Sequence, residues 1–348
     1  MKERADETRK KILFLVGSLN QTTQMHQVAS ELEEYDCYFS QLYSKDPIIK
    51  LALKKGLLEG TVLGKKSKAR ADEYLQKHNL NNDYCASVFN NKYDLAVLCS
   101  DMLVTNELRK IKTVWVQEGM TDPVTSFGNL IHSLKLPSYL VMNTAFNGCS
   151  NVCDIYCAAS KGYKNQFAER GTGPSRIFVT GIPNYDNIRS FLNNDFPYRD
   201  YVLAATSDIR ETFNKDDREA FIKKCVTIAD GRSLIFKLHP NEIKERAVAE
   251  IKKFAPDDTL IYTDGNTNDM IANCEELITQ YSTVVYIGIA LGKKVHSYFD
   301  VDELKKLAPV QNGGRSAAAI AEICRNYIEF KGGRKAFLKN FVFEAEYA

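Results

Sequence analysis

Short apolar runs rich in β-branched and aromatic residues recur along the chain, and longer stretches with an apolar repeat of three to four residues lie between most of them. In the first half, residues 11–16, 37–41, 95–99, 113–116, 155–158 and 177–180 read as strands. In the second half the same pattern appears at 201–205, 234–238, 260–262, 276–278 and 294–298. Helical patterns occupy 25–34, 161–169, 216–229, 242–254, 316–330 and 335–343. Strict alternation of strand and helix predicts parallel sheets, and strands apolar on both faces predict helices covering each side. A chain of 348 residues exceeds what one core usually organises, so two such sheets are expected. The polar, proline-containing stretch Asn193-Asn-Asp-Phe-Pro-Tyr-Arg-Asp200 marks the boundary between them. The fold class read from the pattern is therefore α/β, two doubly wound parallel-sheet domains over 1–193 and 200–330. The final helices stay with the second domain or, for 331–348, cross back to the first.

Two segments break the alternation. Residues 50–70 mix seven Lys/Arg with leucines and glycines. They read either as a solvated helix and loop or as a patch resting on an anionic membrane surface or receiving an anionic acceptor. Residues 121–148 form a long connection carrying Phe127, Leu130, Leu134, Leu136, Tyr139 and Met142, and ordered insertions of this length often cover a site.

Charge narrows the function classes. With 46 basic and 44 acidic residues the formal net charge is +2, too balanced for a dedicated nucleic-acid binder. No apolar run approaches ~20 residues and no signal-peptide core precedes the first strand, so a cytoplasmic location is expected. Nine cysteines, an odd number, scatter through apolar strand and helix contexts (Cys37, Cys99, Cys225, Cys324), as buried thiols do. Cys149, Cys153 and Cys157 are spaced four apart but lack a nearby fourth ligand, and Cys153 and Cys157 fall in a strand, so packing explains them. No metal site and no cofactor is predicted.

In open parallel sheets the ligand sits at the carboxyl ends of the strands, so the post-strand residues carry the candidate chemistry. After the first strand comes Gly17-Ser-Leu-Asn-Gln-Thr-Thr-Gln-Met-His26, where Ser18, Asn20 and Gln21 either face an acceptor or serve as ordinary caps. After the 113–116 strand, Gln117-Glu-Gly-Met-Thr-Asp-Pro123 places Glu118 at an apolar strand tip, where partial burial would raise its pKa and suit it to general-base work, with Asp122 on the same loop. In the second half, Thr206 and Arg210 follow one strand, and Phe236-Lys-Leu-His-Pro-Asn-Glu242 ends another. There Pro240 is expected to hold His239 extended at a helix start, with Lys237 adding charge for phosphate. Ser282 and Thr283, in Thr279-Gln-Tyr-Ser-Thr-Val284, either cap the next helix or meet a phosphate at its N-terminus.

Taken in order, Gln117-Glu-Gly, Val179-Thr-Gly-Ile-Pro-Asn-Tyr-Asp186, Lys237-Leu-His-Pro and Tyr281-Ser-Thr resemble the GT-B glycosyltransferase superfamily over roughly residues 11–330. One similar branch comprises bacterial envelope transferases with cytidine-linked donors: sialyltransferases, Kdo transferases and CDP-glycerol glycerophosphotransferases. They carry an acidic-Gly base, a Lys-x-His-Pro motif and a Ser-Ser/Thr motif on the donor phosphate. The other comprises the non-hydrolysing UDP-N-acetylglucosamine 2-epimerases, with an acidic residue matching Glu118, a Thr-Gly-Asn segment resembling Thr180-Gly-Ile-Pro-Asn184 and a His-Pro-Asn matching His239-Pro-Asn241. The chain departs from the epimerases in two places. Their Arg-Pro-Glu turn is replaced by Ser18-Leu-Asn-Gln-Thr, and their late Ser-Gly-Gly-x-Gln-Glu-Glu run by Tyr281-Ser-Thr-Val-Val-Tyr-Ile-Gly, which removes both carboxylates.

The resemblance implies two Rossmann-like domains facing a cleft and an inverting, metal-independent transferase. The implied reaction passes a sugar or polyol phosphate from a CMP-, CDP- or UDP-linked donor to a glycan or lipid-linked acceptor in envelope polysaccharide synthesis. In that reading Glu118 is the base, His239 the charge stabiliser or leaving-group acid, and Thr206, Arg210, Lys237, Ser282 and Thr283 meet the nucleotide phosphates. Ser18, Asn20, Gln21 and Asp122 lie on the acceptor side, the two halves close about 194–200, and the enzyme sits peripherally at the inner membrane face. An epimerase and an inactive nucleotide-binding protein are the alternatives.

Overall fold

The computed structural model describes residues 9–59, 61–84, 92–141, 143–212 and 216–343. The expectations touching residues 1–8, 60, Met142 and 344–348 lie, at those positions, outside the described residues. Among the described residues eleven strands form two wholly parallel sheets. The first contains β1 (Lys11–Val16), β2 (Asp36–Gln41), β3 (Leu95–Leu98), β4 (Lys112–Val116), β5 (Ile155–Ala158) and β6 (Ile177–Val179), in the order β2-β1-β3-β4-β5-β6. The second contains β7 (Val202–Ala205), β8 (Leu234–Lys237), β9 (Leu260–Tyr262), β10 (Glu276–Thr279) and β11 (Lys294–His296), in the order β11-β10-β7-β8-β9.

The chain divides into two compact units, Met1–Asp186 with Asn312–Ala348, and Asn187–Gln311. In the first unit the inner strands β1, β3, β4 and β5 bury both faces, as their apolar runs require, while β2 and β6 at the two edges are partly buried. Phe14 of β1 lies between Phe39 of β2 and Val97 of β3, and the Phe14 and Phe39 rings stack at 5.2 Å. Helix Ser316–Glu329 belongs to this unit. Its stripe Ala317, Ile320, Ala321, Cys324 and Ile328, repeating at helical spacing, fills the same core as Val97, Val114 and Ile155. Lys112 Nζ closes that helix by donating to the carbonyls of Tyr327 (2.8 Å) and Phe330 (2.7 Å). The second unit packs Val202, Ala204, Phe236 and Ile278 against Phe221, Ile222, Cys225 and Ile251 from its helices.

Two local expectations are corrected. The helix expected over 25–34 begins six residues earlier, as Leu19–Ser30, because Ser18 adopts an extended conformation and its Oγ accepts from Gln21 N at 3.1 Å, the capping role among its two expected readings. Pro240 does not start a helix either. Helix Lys244–Phe254 begins four residues later, since residues 239–242 form a turn closed by Glu242 N on His239 O (3.1 Å) and by the Glu242 carboxylate folding back onto His239 N.

Each sheet has a topological switch point, where successive connections leave to opposite sides. In the first it falls between β1 and β3, and in the second between β7 and β10. The polar residues beyond those strand ends are Ser18, Asn20 and Gln21 in one unit and Thr206, Ser207 and Gln280 in the other, the positions at which doubly wound sheets bind ligands.

Candidate functional site

In the first unit, residues following β1 converge on a carboxylate following β4. Glu118 is half-buried. Its Oε1 accepts from Ser18 Oγ (2.9 Å) and Asn20 Nδ2 (3.1 Å), and its Oε2 from Gln21 Nε2 (2.5 Å). Backbone on both sides of it is fixed by Gln117, whose Nε2 donates to Gly119 O (2.8 Å) while its Oε1 accepts from Ala159 N (2.8 Å). Asn20 is held in turn by Asn184 Nδ2, which donates to its Oδ1 at 2.8 Å. Gly17 is required for this closeness, because a Cβ there would lie 2.8 Å from Gln21 Oε1 and from Val62. A carboxylate has about four acceptor positions, and three here are taken by neutral donors, which leaves a place for a substrate hydroxyl proton. Asp122, by contrast, staples the ends of the 121–148 insertion, its Oδ2 accepting from Thr144 N (2.8 Å) and Thr144 Oγ1 (2.6 Å).

The second unit builds its strand-end loops around a buried ion network. Glu242 has no exposed side-chain surface. It accepts from Arg218 Nη2 (2.7 Å), from His239 N (2.9 Å) and from the Thr206 hydroxyl. Arg218 Nε pairs with Asp216 Oδ2 at 3.0 Å. Gln280 extends the network to β10, donating to Asp216 Oδ1 (2.7 Å) and accepting from Ser207 Oγ (3.0 Å). The loops after β7, β8 and β10 are thereby locked to one another.

On this frame His239 is partly exposed. Asn241 N donates to its Nδ1 at 3.3 Å, and Asp208 Oδ2 lies 3.7 Å from the same atom. With Nδ1 accepting, the neutral ring carries its proton on Nε2, so the nitrogen left for a ligand is a donor. Lys237 is buried, and burial pulls its ammonium below the ordinary range. Its Nζ donates to Leu238 O at 2.9 Å.

The remaining predicted residues separate. Ser282 and Thr283 are partly exposed just before the short helix Val285–Ala290. Ser282 Oγ sits 3.5 Å from Val284 N, long for a capping bond, which leaves the hydroxyl available. Arg210 grips Glu250 in a two-pronged pair at 2.8 and 2.8 Å and lies 3.7 Å from Asp216, so an anion would have to compete with two carboxylates for it. Sequence reading missed Asp216, Arg218, Glu242 and Gln280 as supports. The one signal available was that Glu242 and Arg218 are charged residues flanking apolar strand and helix patterns. Cys149 and Cys157 are buried and their thiols are pushed up to about 12, as befits packing residues. Among the described residues no group of three or more His, Cys, Asp or Glu is placed to hold a metal ion.

No family model matches the chain, and no curated protein matches it. Solved structures do match. A UDP-GlcNAc 2-epimerase from Neisseria meningitidis bound to UDP-GlcNAc is 12% identical, over 90% of this chain and 99% of that one, with a TM-score of 0.56. The UDP-GlcNAc 2-epimerase of Methanocaldococcus jannaschii in complex with UDP-GlcNAc and UDP is 15% identical over 90% and 99%, with a TM-score of 0.54. The wall teichoic acid polymerase TagF is 11% identical over 92% of this chain and 89% of that one, with a TM-score of 0.51. The fold is GT-B. These GT-B neighbours are enzymes, and the epimerases among them are seen with nucleotide ligands. At such identities the likeness lies in architecture, so the chemistry must be argued from this GT-B chain's own side chains.

Proposed function

We propose that the chain is a GT-B transferase that moves a sugar or polyol phosphate from a nucleotide-activated donor, CMP-, CDP- or UDP-linked, to a hydroxyl of a glycan or lipid-linked acceptor. The observation that carries this reading is the Glu118 carboxylate, held by Ser18, Asn20 and Gln21 with an acceptor position to spare. As the acceptor oxygen bonds to the transferred carbon or phosphorus, its proton passes to Glu118 and the nucleotide phosphate leaves. His239 supplies an Nε2–H donor for the charge growing on the departing phosphate. Lys237, Thr206, Ser282 and Thr283 contribute the other polar groups of the nucleotide unit, and Arg210 does so once released from Glu250. Transfer is favoured over epimerisation by the stretch Tyr281-Ser-Thr-Val-Val-Tyr-Ile-Gly288, which carries no carboxylate where the epimerases have two.

The test is a thermal-shift panel of CMP, CDP, UMP, UDP, GDP and ADP on wild type and His239→Ala, followed by turnover of the matching donor. Stabilisation by a cytidine or uridine nucleotide that His239→Ala weakens, with acceptor-dependent nucleotide release that Glu118→Ala abolishes, supports transfer. Exchange of the sugar C2 hydrogen with solvent in the absence of acceptor would instead establish an epimerase. Binding without either reaction would make the chain an inactive nucleotide-binding protein.

A further inference from the structure

The three neutral donors on Glu118 differ in what holds them there. Ser18 Oγ donates at 2.9 Å, but a hydroxyl can rotate its proton away. Gln21 is buried and donates through Nε2, yet its Oε1 makes no hydrogen bond among the described residues. Nothing behind Gln21 therefore chooses which end of its amide meets the carboxylate. Asn20 is committed at both ends. Its Nδ2 donates to Glu118 Oε1 at 3.1 Å while its Oδ1 accepts from Asn184 Nδ2 at 2.8 Å.

Asn184, in the turn Pro183–Tyr185, is committed in the same way. Its Nδ2 also donates to Asn20 O at 3.0 Å, and its Oδ1 accepts from Gln27 Nε2 at 2.7 Å. Gln27, two turns along the helix from Asn20, also donates to Thr23 O at 3.4 Å. The ionised Glu118 carboxylate and the carbonyls of Asn20 and Thr23 can only accept. An amide that turned over would set oxygen against oxygen, so the direction of the chain Gln27, Asn184, Asn20, Glu118 is imposed from both ends. Asn20 thus keeps an N–H on Glu118 whether or not that carboxyl carries a proton. A fixed donor favours the charged form and penalises the acid. We infer that Asn184 and Gln27 are positioning residues that act through Asn20 to keep Glu118 ionised and ready to take a proton. Titratable groups on the surrounding elements are occupied elsewhere. His26 of the same helix meets Tyr74 OH at 3.1 Å, Asp186 accepts from Ser316 N at 2.6 Å, and Asp101 accepts from Gly148 N at 2.9 Å. Burial pushes the Cys99 thiol far above its usual range, so it stays neutral. Only the use of the ionised group as a base rests on the transferase reading.

The test is the titration of Glu118 in the full chain, without nucleotide or acceptor, followed by NMR of isotope-labelled glutamate with Glu118→Gln identifying the signal. Asn184→Asp keeps the size of the side chain but offers Asn20 only oxygens, so Asn20 turns its N–H away from Glu118. Glu118 should then bind its proton about tenfold more tightly, its midpoint rising by about one pH unit. Asn184→Ala, which adds no charge, should move the midpoint the same way by less, and it carries the test alone if Asn184→Asp does not fold. In an Asn20→Ala chain, Asn184→Asp should add nothing, whereas a charge acting through space would raise the midpoint there too. An unchanged midpoint in both Asn184 variants, or an equal rise with and without Asn20, would overturn the inference. In turnover the acid limb of kcat/KM should move with the midpoint, while a merely structural role would lower the rate alike at every pH. Wild type without turnover would end the transferase reading and leave the titration result standing.

Discussion

Each unit places a glutamate beyond the end of a parallel strand, and the two are used in opposite ways. Glu118 lies two residues past β4, is half-buried, and is held by three neutral donors. Glu242 lies five residues past β8, is fully buried, and is consumed by a guanidinium, a backbone N–H and a hydroxyl. The same residue type in a repeated architecture thus keeps an open acceptor position in one unit and is a strut in the other. What separates them is the partner set. Neutral donors orient a carboxylate without cancelling its charge, whereas a buried guanidinium neutralises it and ties it to the fold.

Replacing both glutamates breaks the comparison most sharply. Glu118→Gln keeps shape and burial but removes the proton acceptor, and turnover should fall by about 10²–10⁴-fold with the nucleotide thermal shift unchanged. A variant that kept near-wild-type turnover would end the base assignment. In the second unit, Arg218→Met leaves Glu242 buried without its cation and Asp216 with only the more distant Arg210, and should cost about 3–5 kcal/mol in urea unfolding. Restoring part of that loss with Glu242→Gln in the same chain would establish that the cost is uncompensated charge and not lost packing.

Ser18→Ala tests the first unit at finer scale. It removes an N-cap worth about 1 kcal/mol and one of three donors on Glu118, so both melting temperature and turnover should drop. Ser18→Thr, which keeps the hydroxyl, should restore both. The smallest effect concerns acid stability. Burial pushes the Glu276 carboxyl up, but His296 (2.8 Å), Arg232 (2.8 Å) and Lys294 (3.1 Å) outweigh it and hold the group at about 2, against 4.5 when unfolded. Its contribution is therefore present in full above about 4.5 and lost as the pH falls toward about 2. The melting-temperature gap between wild type and Glu276→Gln should narrow across that window, and a constant gap would refute the assignment.

The fold was legible because its signal is local and repeated. The eleven strands of the described residues sit within two residues of the apolar runs that announce them, most plainly β1, β3, β5 and β7, which are buried on both faces and carry almost no polar position to confuse the reading. Glu118 and His239 could be singled out for a related reason, as polar residues directly after such runs. Arg218, Asp216 and Gln280 could not, because their meaning lies in partners far along the chain: Arg218 meets Glu242 and Gln280 meets Ser207 only once the sheet has assembled. The start of helix Leu19–Ser30 was hidden by its content. Asn20, Thr22 and Thr23 are weak helix formers, and the cap at Ser18 together with burial of Gln21, Thr22 and Gln24 overrides that weakness.

The interrupted first unit has a consequence for biosynthesis. Asn187–Gln311 is a continuous stretch whose own ends are joined by Ile188 N donating to Gln311 Oε1 at 3.1 Å, so it has everything it needs when the ribosome has passed it. The first unit does not. Its sheet is translated before the second unit, yet the helix that fills its core, Ser316–Glu329, is translated after it, and Ser316 N must return to Asp186 Oδ2 to close the gap. The order of synthesis and the order of completion are therefore reversed, and during translation the β1 to β6 sheet must wait, partly uncovered, until the whole second unit has been made.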